Sequence, residues 1–267
     1  MPMRFILFLG VWLLLAPVSL LAACERPVQV GWAPWPPYQY LDNGDRPAGL
    51  DIDMVEAVLD EMGCERIYQN VPWKRRLLHI ESGKLDVIAG ASYVPERDEY
   101  GRFSQPYRQE SVVVFARPED AERLSDESNL LALGNERERI ATVLGYYYGE
   151  DFERAIRDPD FRDRVFELPT EEAAFRMLEA GRVTTVVADP YVAARSFSRN
   201  PQWGQLVPVE TLYRTDIHFL LSRASLPADF ATEFDAALER LERRGVLNRI
   251  RDRYELHQSG LGDAKQP

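Results

Sequence analysis

From Val28 to Ala89 the chain passes twice from a short apolar run into an amphipathic stretch and back, and few folds accept that rhythm. Val28-Gln29-Val30-Gly31-Trp32 reads as a buried strand, and a loop rich in Pro and aromatics follows at Pro34-Trp35-Pro36-Pro37-Tyr38. From Asp51 to Met62 the apolar residues Ile52, Val55, Val58, Leu59 and Met62 recur at helical spacing, with Gly63 placed to end the helix. A second strand is expected at Arg66 to Val71. A second helix from Trp73 carries Leu77, Leu78 and Ile80, stops at Gly83 and leads into a third strand, Leu85 to Ala89. Strand alternating with helix is the pattern of a parallel sheet with right-handed crossovers, and such sheets bind ligands beyond the carboxyl ends of their strands.

The second half echoes the first. Glu81-Ser82-Gly83-Lys84-Leu85 leads into an apolar strand, and so does Glu179-Ala180-Gly181-Arg182-Val183, which runs on into Val186-Val187-Ala188. Helix, glycine and strand recur in any α/β protein, so the echo by itself does not establish duplication. It does predict which residues emerge at strand ends: Gly90, Ala91 and Ser92 in one half, Asp189 in the other. Two apolar runs, Ser111 to Phe115 going out and Ile217 to Leu221 coming back, are expected to pair as a hinge. Asp229 to Leu241 and Arg244 to Leu256 read as two amphipathic helices parted at Gly245 and packed on the first half.

The 267 residues, 45% of them hydrophobic, are enough to bury a real core, which excludes a disordered chain. A net charge of −11 spread along the sequence argues against a nucleic-acid partner, which would need a basic face. Arg4 followed by the uncharged stretch Phe5 to Leu21 and then Ala22-Ala23 has the layout of a secretory signal, so residues 1–23 are set apart from the fold. As a membrane span the stretch is short of the ~20 apolar residues needed, and Gly10 and Pro17 interrupt it. Leu21-Ala22-Ala23-Cys24 also fits a lipoprotein processing site, whereas Cys64, the one other cysteine, suggests a disulfide. If residues 28–32 and 66–71 are neighbouring parallel strands, Cys24 and Cys64 enter the sheet side by side, and the disulfide is the preferred reading.

Gly49-Leu50-Asp51-Ile52-Asp53-Met54 ahead of the first helix, Ser92-Tyr93-Val94-Pro95-Glu96-Arg97, and Phe103-Ser104-Gln105-Pro106-Tyr107 together resemble the bacterial extracellular solute-binding proteins, family 3, over essentially the whole mature chain. Leu59 departs from the first signature, where a smaller residue is usual. The resemblance implies a two-lobed periplasmic binding protein of type II, each lobe a mainly parallel sheet flanked by helices, the two joined by a two-strand hinge. The expected division is 1–23 signal peptide, 24–115 first segment of lobe 1, 116–213 lobe 2, 214–258 return segment of lobe 1 and 259–267 disordered tail.

It also implies roles. Arg97, at a helix start behind Pro95, would anchor a carboxylate with its planar fork; an ordinary ion pair with Glu96, Asp98 or Glu99 is the alternative. Ser92 and the turn at Gly90 would lie beside it. Asp189, at the end of an apolar strand and before Pro190, would meet a ligand ammonium, cap the following helix, or do both. Trp35, Tyr38 and Trp73 would form aromatic walls. Two departures leave the ligand open. Ala33-Pro34 stand where an acidic residue is common, and Gly145 is followed by Tyr146-Tyr147-Tyr148-Gly149 where Gly then Ser or Thr is usual, which makes a more aromatic second wall from Tyr146 and Tyr147. Lys74 and Arg75 add positive charge near Trp73, so an anionic ligand also fits.

The expected function is capture of a small carboxylate-bearing solute, an amino acid or a relative of one, for a membrane ABC permease by hinge closure, by a periplasmic monomer with no cofactor, no metal and no catalytic residue. The alternatives are a periplasmic enzyme on this fold, similar to cyclohexadienyl or arogenate dehydratases, with Lys74 or Glu110 as acid or base, and a ligand sensor serving a receptor. The three His are scattered, and neither a nucleophile elbow nor a phosphate-binding Gly loop is present.

Overall fold

The computed structural model describes residues 24–125, 138–203 and 205–254, so the expected signal segment and tail lie outside the described residues. The first half contains β1 (Val28–Trp32), the short pair β2 (Tyr40–Leu41) and β3 (Pro47–Ala48), α1 (Leu50–Glu61), β4 (Arg66–Asn70), α2 (Trp73–Glu81), β5 (Val87–Ser92), α3 (Pro95–Asp98) and β6 (Gly101–Phe103). The chain leaves through β7 (Arg108–Ala116) and builds α4 (Pro118–Ser125), β8 (Ile140–Val143), α5 (Glu150–Ala155), α6 (Pro159–Arg162), β9 (Val165–Leu168), α7 (Glu171–Glu179), β10 (Thr185–Ala188) and α8 (Pro190–Arg199). It returns through β11 (Val207–Ser222) and ends in α9 (Ala228–Arg243) and α10 (Val246–Arg253).

The strands join in one path, β4-β1-β5-β11-β7-β10-β8-β9, with β6 on β11. Three parallel strands stand at each end (β4, β1, β5 and β10, β8, β9), and the antiparallel pair β7–β11 joins them. This is the two-lobed α/β architecture expected of the sequence. One pairing differs. The outgoing run Ser111 to Phe115 lies against Arg214 to Pro208, while the returning run Ile217 to Leu221 lies against β5 and β6. The reason is length: β11 has 16 residues, so its first part serves the crossing and its last part completes the first lobe.

Alternation along the strands sets the core on both faces of the sheet. In β7, Val112, Val114 and Ala116 pack with Ile140, Phe152 and Phe161, whereas Val113 and Phe115 pack with Phe175, Leu178 and Trp203. In the first lobe, Met54, Val58, Phe219, Phe234 and Leu247 form one core, so the two C-terminal helices do pack there, and Ile80, Leu85, Ile88 and Leu220 form another under α2. Cys24 and Cys64 are joined by a disulfide at the entrances of the parallel neighbours β1 and β4. A sulfur so bonded carries no lipid thioether.

Candidate binding site

Strand β5 runs on through Gly90, Ala91 and Ser92, which therefore lie within the sheet rather than beyond its end. Gly90 has a φ of +83°, a left-handed kink inside the strand, and a Cβ there would lie 3.2 Å from the Trp35 ring. The chain then turns at Val94, and Pro95 starts the single turn of α3 that carries Arg97. Arg97 is 8% exposed. Its guanidinium donates to Ser92 O (3.2 Å) and, across to the second lobe, to Gly145 O (3.3 Å). Asp98, considered above as a partner, pairs with Arg223 instead. Burial lowers the Arg97 pKa from its ordinary value, since no hydrogen-bonded carboxylate offsets the lost hydration.

Beneath it lies a network that no single segment announces. Asp51, in the first turn of α1, is fully buried and accepts from Tyr107 Oη (2.7 Å), Arg108 Nε (2.9 Å) and Gln39 Nε2 (3.1 Å). Arg108 also pairs with Glu110 (3.1 Å) and lies 3.9 Å from the centre of the Tyr38 ring. Gln39 turns its other end to Arg76, whose Nη1 donates to Gln39 Oε1 at 3.0 Å. Arg76 is 2% exposed, its Nε has no hydrogen-bond partner, and burial pulls its pKa down to about 10. Lys74 and Arg75, its neighbours in the basic run, point to solvent, as does Leu78. Helix phase explains this: Trp73, Arg76, Leu77 and Ile80 fall at i, i+3, i+4 and i+7 and form the inward stripe. That spacing was the available signal for Arg76.

The facing wall comes from the second lobe. Asp189 caps α8, accepting from Tyr191 N (2.9 Å) and Val192 N (3.0 Å), and Tyr38 Oη donates to it at 3.2 Å. Glu171, in the first turn of α7, accepts from Trp35 Nε1 at 3.2 Å. Burial raises the Asp189 carboxyl to about 6 and the Glu110 carboxyl to about 7, and it raises Glu171 well above the usual range, because three acids gather here with limited cationic relief. Of the three tyrosines after Gly145, Tyr146 and Tyr147 face the cleft, while Tyr148 turns into the second-lobe core and accepts from Val143 N at 2.7 Å. Three phenols on that wall are thus reduced to two by the core's demand for one ring.

The residues converge on one pocket, lined by Trp35, Trp73, Gly90, Ser92, Arg97 and Tyr146 together with Arg76, Glu110 and Tyr147. Tyr146 meets Trp35 and Trp73 edge-on at 6.0 and 5.9 Å, closing an aromatic box, and Trp73 Nε1 donates to Gly145 O at 2.9 Å. Tyr38 and Asp189 stand behind this lining and meet each other rather than the pocket. The enclosed space is about 20 Å³, room for about one water. Among the described residues no three His, Cys, Asp or Glu side chains gather as a metal ion would require. Cation donors on one side, carboxyls on the other and aromatic rings between them suit a small zwitterion.

The ABC transporter arginine-binding protein 1 of Escherichia coli strain K12 is 26% identical to this chain over 193 residues, 72% of this chain and 74% of that protein. Among solved structures, an ancestral arginine-binding protein bound to glutamine superposes with a TM-score of 0.72 at 21% identity, covering 88% of this chain and 100% of that one. A histidine kinase sensor domain with similarity to periplasmic binding proteins also gives 0.72 at 21% identity, covering 87% and 96%. These likenesses show the fold. The family described as bacterial extracellular solute-binding proteins, family 3, matches residues 28–257, and the chain belongs to that family.

Proposed function

We propose that this protein is a periplasmic monomer that captures an amino acid or a closely related carboxylate by closing its two lobes, 24–115 with 214–258 against 116–213, and presents the closed form to a membrane ABC permease without chemically altering the ligand. The observation that carries the reading is Arg97. A buried guanidinium held only by carbonyl oxygens, one from each lobe, is stabilised far more by a carboxylate that it grips bidentately. A ligand carboxylate on Arg97 with its ammonium turned toward Glu110, the acid that lines the same pocket, and its body against Tyr146 and Tyr147 of the second lobe would tie the lobes together, which is how a ligand shifts an open–closed equilibrium. The small enclosed volume means that entry requires the lobes to part. Amino acids are the natural class, since the Escherichia coli relative is named for arginine and the ancestral homologue holds glutamine. Export through residues 1–23 accords with the disulfide, which persists in an oxidising compartment.

The test is calorimetric titration of the mature chain with a panel of L-amino acids, followed by recovery and weighing of the ligand. Arg97→Ala is expected to cost about 3–5 kcal/mol, hence a hundredfold or greater loss of affinity. A loss below tenfold would sink the anchor assignment, and a ligand returned with altered mass would overturn the non-enzymatic reading.

A further inference from the structure

Three arginines are buried in this protein, Arg76, Arg97 and Arg108, and only Arg108 is paired with a carboxylate within the described residues. Arg97 is accounted for by the carboxylate proposed above. Arg76 has no such account. Asp51, the acid its hydrogen bonds lead to, is separated from it by the neutral amide of Gln39 and already occupied by three donors, and Glu110, which lines the same pocket, is paired with Arg108. Its other hydrogen bond is a long one, 3.5 Å to Gly31 O, and its Nε has no partner among the described residues. A cation 2% exposed and uncompensated is costly to the fold, and a leucine would fill the same helix position more cheaply.

What Arg76 does have is the pocket. It lines the cavity together with Arg97, and both guanidiniums lie over the same indole, 4.9 and 5.5 Å from the centre of the Trp73 ring. One small molecule lying along Trp73 spans the two. Of the acids that would balance a basic ligand side chain, Glu110 lines the pocket but is paired with Arg108 at 3.1 Å, and behind the lining Glu171 is engaged by Trp35 and Asp189 by Tyr38 and two backbone amides. We infer that Arg76 is a second anion subsite, so that the ligand is an amino acid carrying two acidic groups, one held by Arg97 and the other by Arg76. The inference rests on the carboxylate-capture reading and narrows it away from the basic amino acid for which the Escherichia coli relative is named.

The experiment titrates the mature protein with L-aspartate, L-glutamate and L-2-aminoadipate, and with L-asparagine, L-glutamine and L-arginine. At least one diacid is expected to bind tenfold or more tightly than its amide or than arginine, because a charge-assisted bidentate contact is lost in the amide. Arg76→Gln should lower that diacid's affinity at least tenfold while changing the amide's less than threefold, and Arg76→Lys should restore part of the preference; melting curves of both variants establish that they fold. Binding of amides or arginine with no diacid preference, or equal loss of both ligand types in Arg76→Gln, overturns the subsite and leaves carboxylate capture standing. No binding by any of the six overturns the subsite, and if Arg97→Ala then also leaves every other carboxylate in a wider panel unaffected, the capture reading falls with it.

Discussion

Replacing Asp51 with Asn keeps the side-chain shape and removes one charge, and the network around it allows the consequence to be worked out. The buried carboxylate accepts from Tyr107, Arg108 and Gln39 at 2.7, 2.9 and 3.1 Å. An Asn oxygen can still serve Tyr107 and Arg108, but its amino group then faces Gln39 Nε2, donor against donor. Gln39 cannot turn to relieve this, because its Oε1 holds Arg76 Nη1 at 3.0 Å and Ala33 N at 3.3 Å. Breaking a buried ion pair costs about 3–5 kcal/mol. Glu110 remains beside Arg108 and keeps that term near its lower end, while the orphaned Gln39 donor adds about 1 kcal/mol. The sum, about 4 kcal/mol, is a large share of the 5–15 kcal/mol that holds a typical domain together. At roughly 2–4 °C per kcal/mol for a chain of this size, the melting temperature should fall by about 8–16 °C. Thermal unfolding followed by circular dichroism measures it, with Asp51→Leu/Arg108→Met as the companion, expected to lose less than the sum of its two single variants because the Asp51–Arg108 pair is broken only once. A melting temperature for Asp51→Asn within 2 °C of the parent, or a double variant whose loss equals the sum of the single losses, would refute the reasoning.

Further outcomes follow from other positions. Burial holds the Glu110 carboxyl at about 7, above its ordinary 4.5, so the folded state binds a proton that the unfolded state has released; stability of the ligand-free protein should therefore decline as pH rises through that interval, and Glu110→Gln should flatten the later part of the decline in melting temperature. Gly49, at the N-cap of α1 with φ +118°, lies so close to Tyr38 that a Cβ would come within 2.3 Å of its carbonyl oxygen, so Gly49→Ala should cost more than about 2 kcal/mol in urea unfolding, and a neutral result would contradict the described turn. The Cys24–Cys64 bridge spans 40 residues, and Cys64→Ser should lower stability by about 2–4 kcal/mol; reduction by dithiothreitol should reproduce the loss in the parent and leave the variant unchanged.

Much of the fold was legible because periodicity is local. Ile52, Val55, Val58 and Leu59 recur at the spacing of α1, and β1 and β4 fall within a residue of where their apolar and flanking residues place them. The positions of Arg97 and Asp189 at helix starts were legible from Pro95 and Pro190, while the roles expected of them came from the family resemblance. Arg76 was hidden in Lys74-Arg75-Arg76, a run that reads as a solvated face until the helix is phased by Trp73 and Ile80. Ser111 to Phe115 and Ile217 to Leu221 read as strands from their composition, but composition carries no register, so it does not show that the first pairs with Pro208 to Arg214 rather than with the second.

The sequence by itself determined the order of strands and helices from Val28 to Ala89 and the family motifs from Gly49 to Tyr107, since each depends on residues within a turn or two along the chain. Only the tertiary structure decided which charge meets which. Asp51 reaches Arg108 across 57 positions and Tyr38 reaches Asp189 across 151, and those partners are chosen by the return of the chain through β7 and β11. A buried charge is defined by what surrounds it in three dimensions, so the lack of a carboxylate partner at Arg76 and Arg97 among the described residues, on which the proposed binding chemistry turns, appears only when the lobes are assembled.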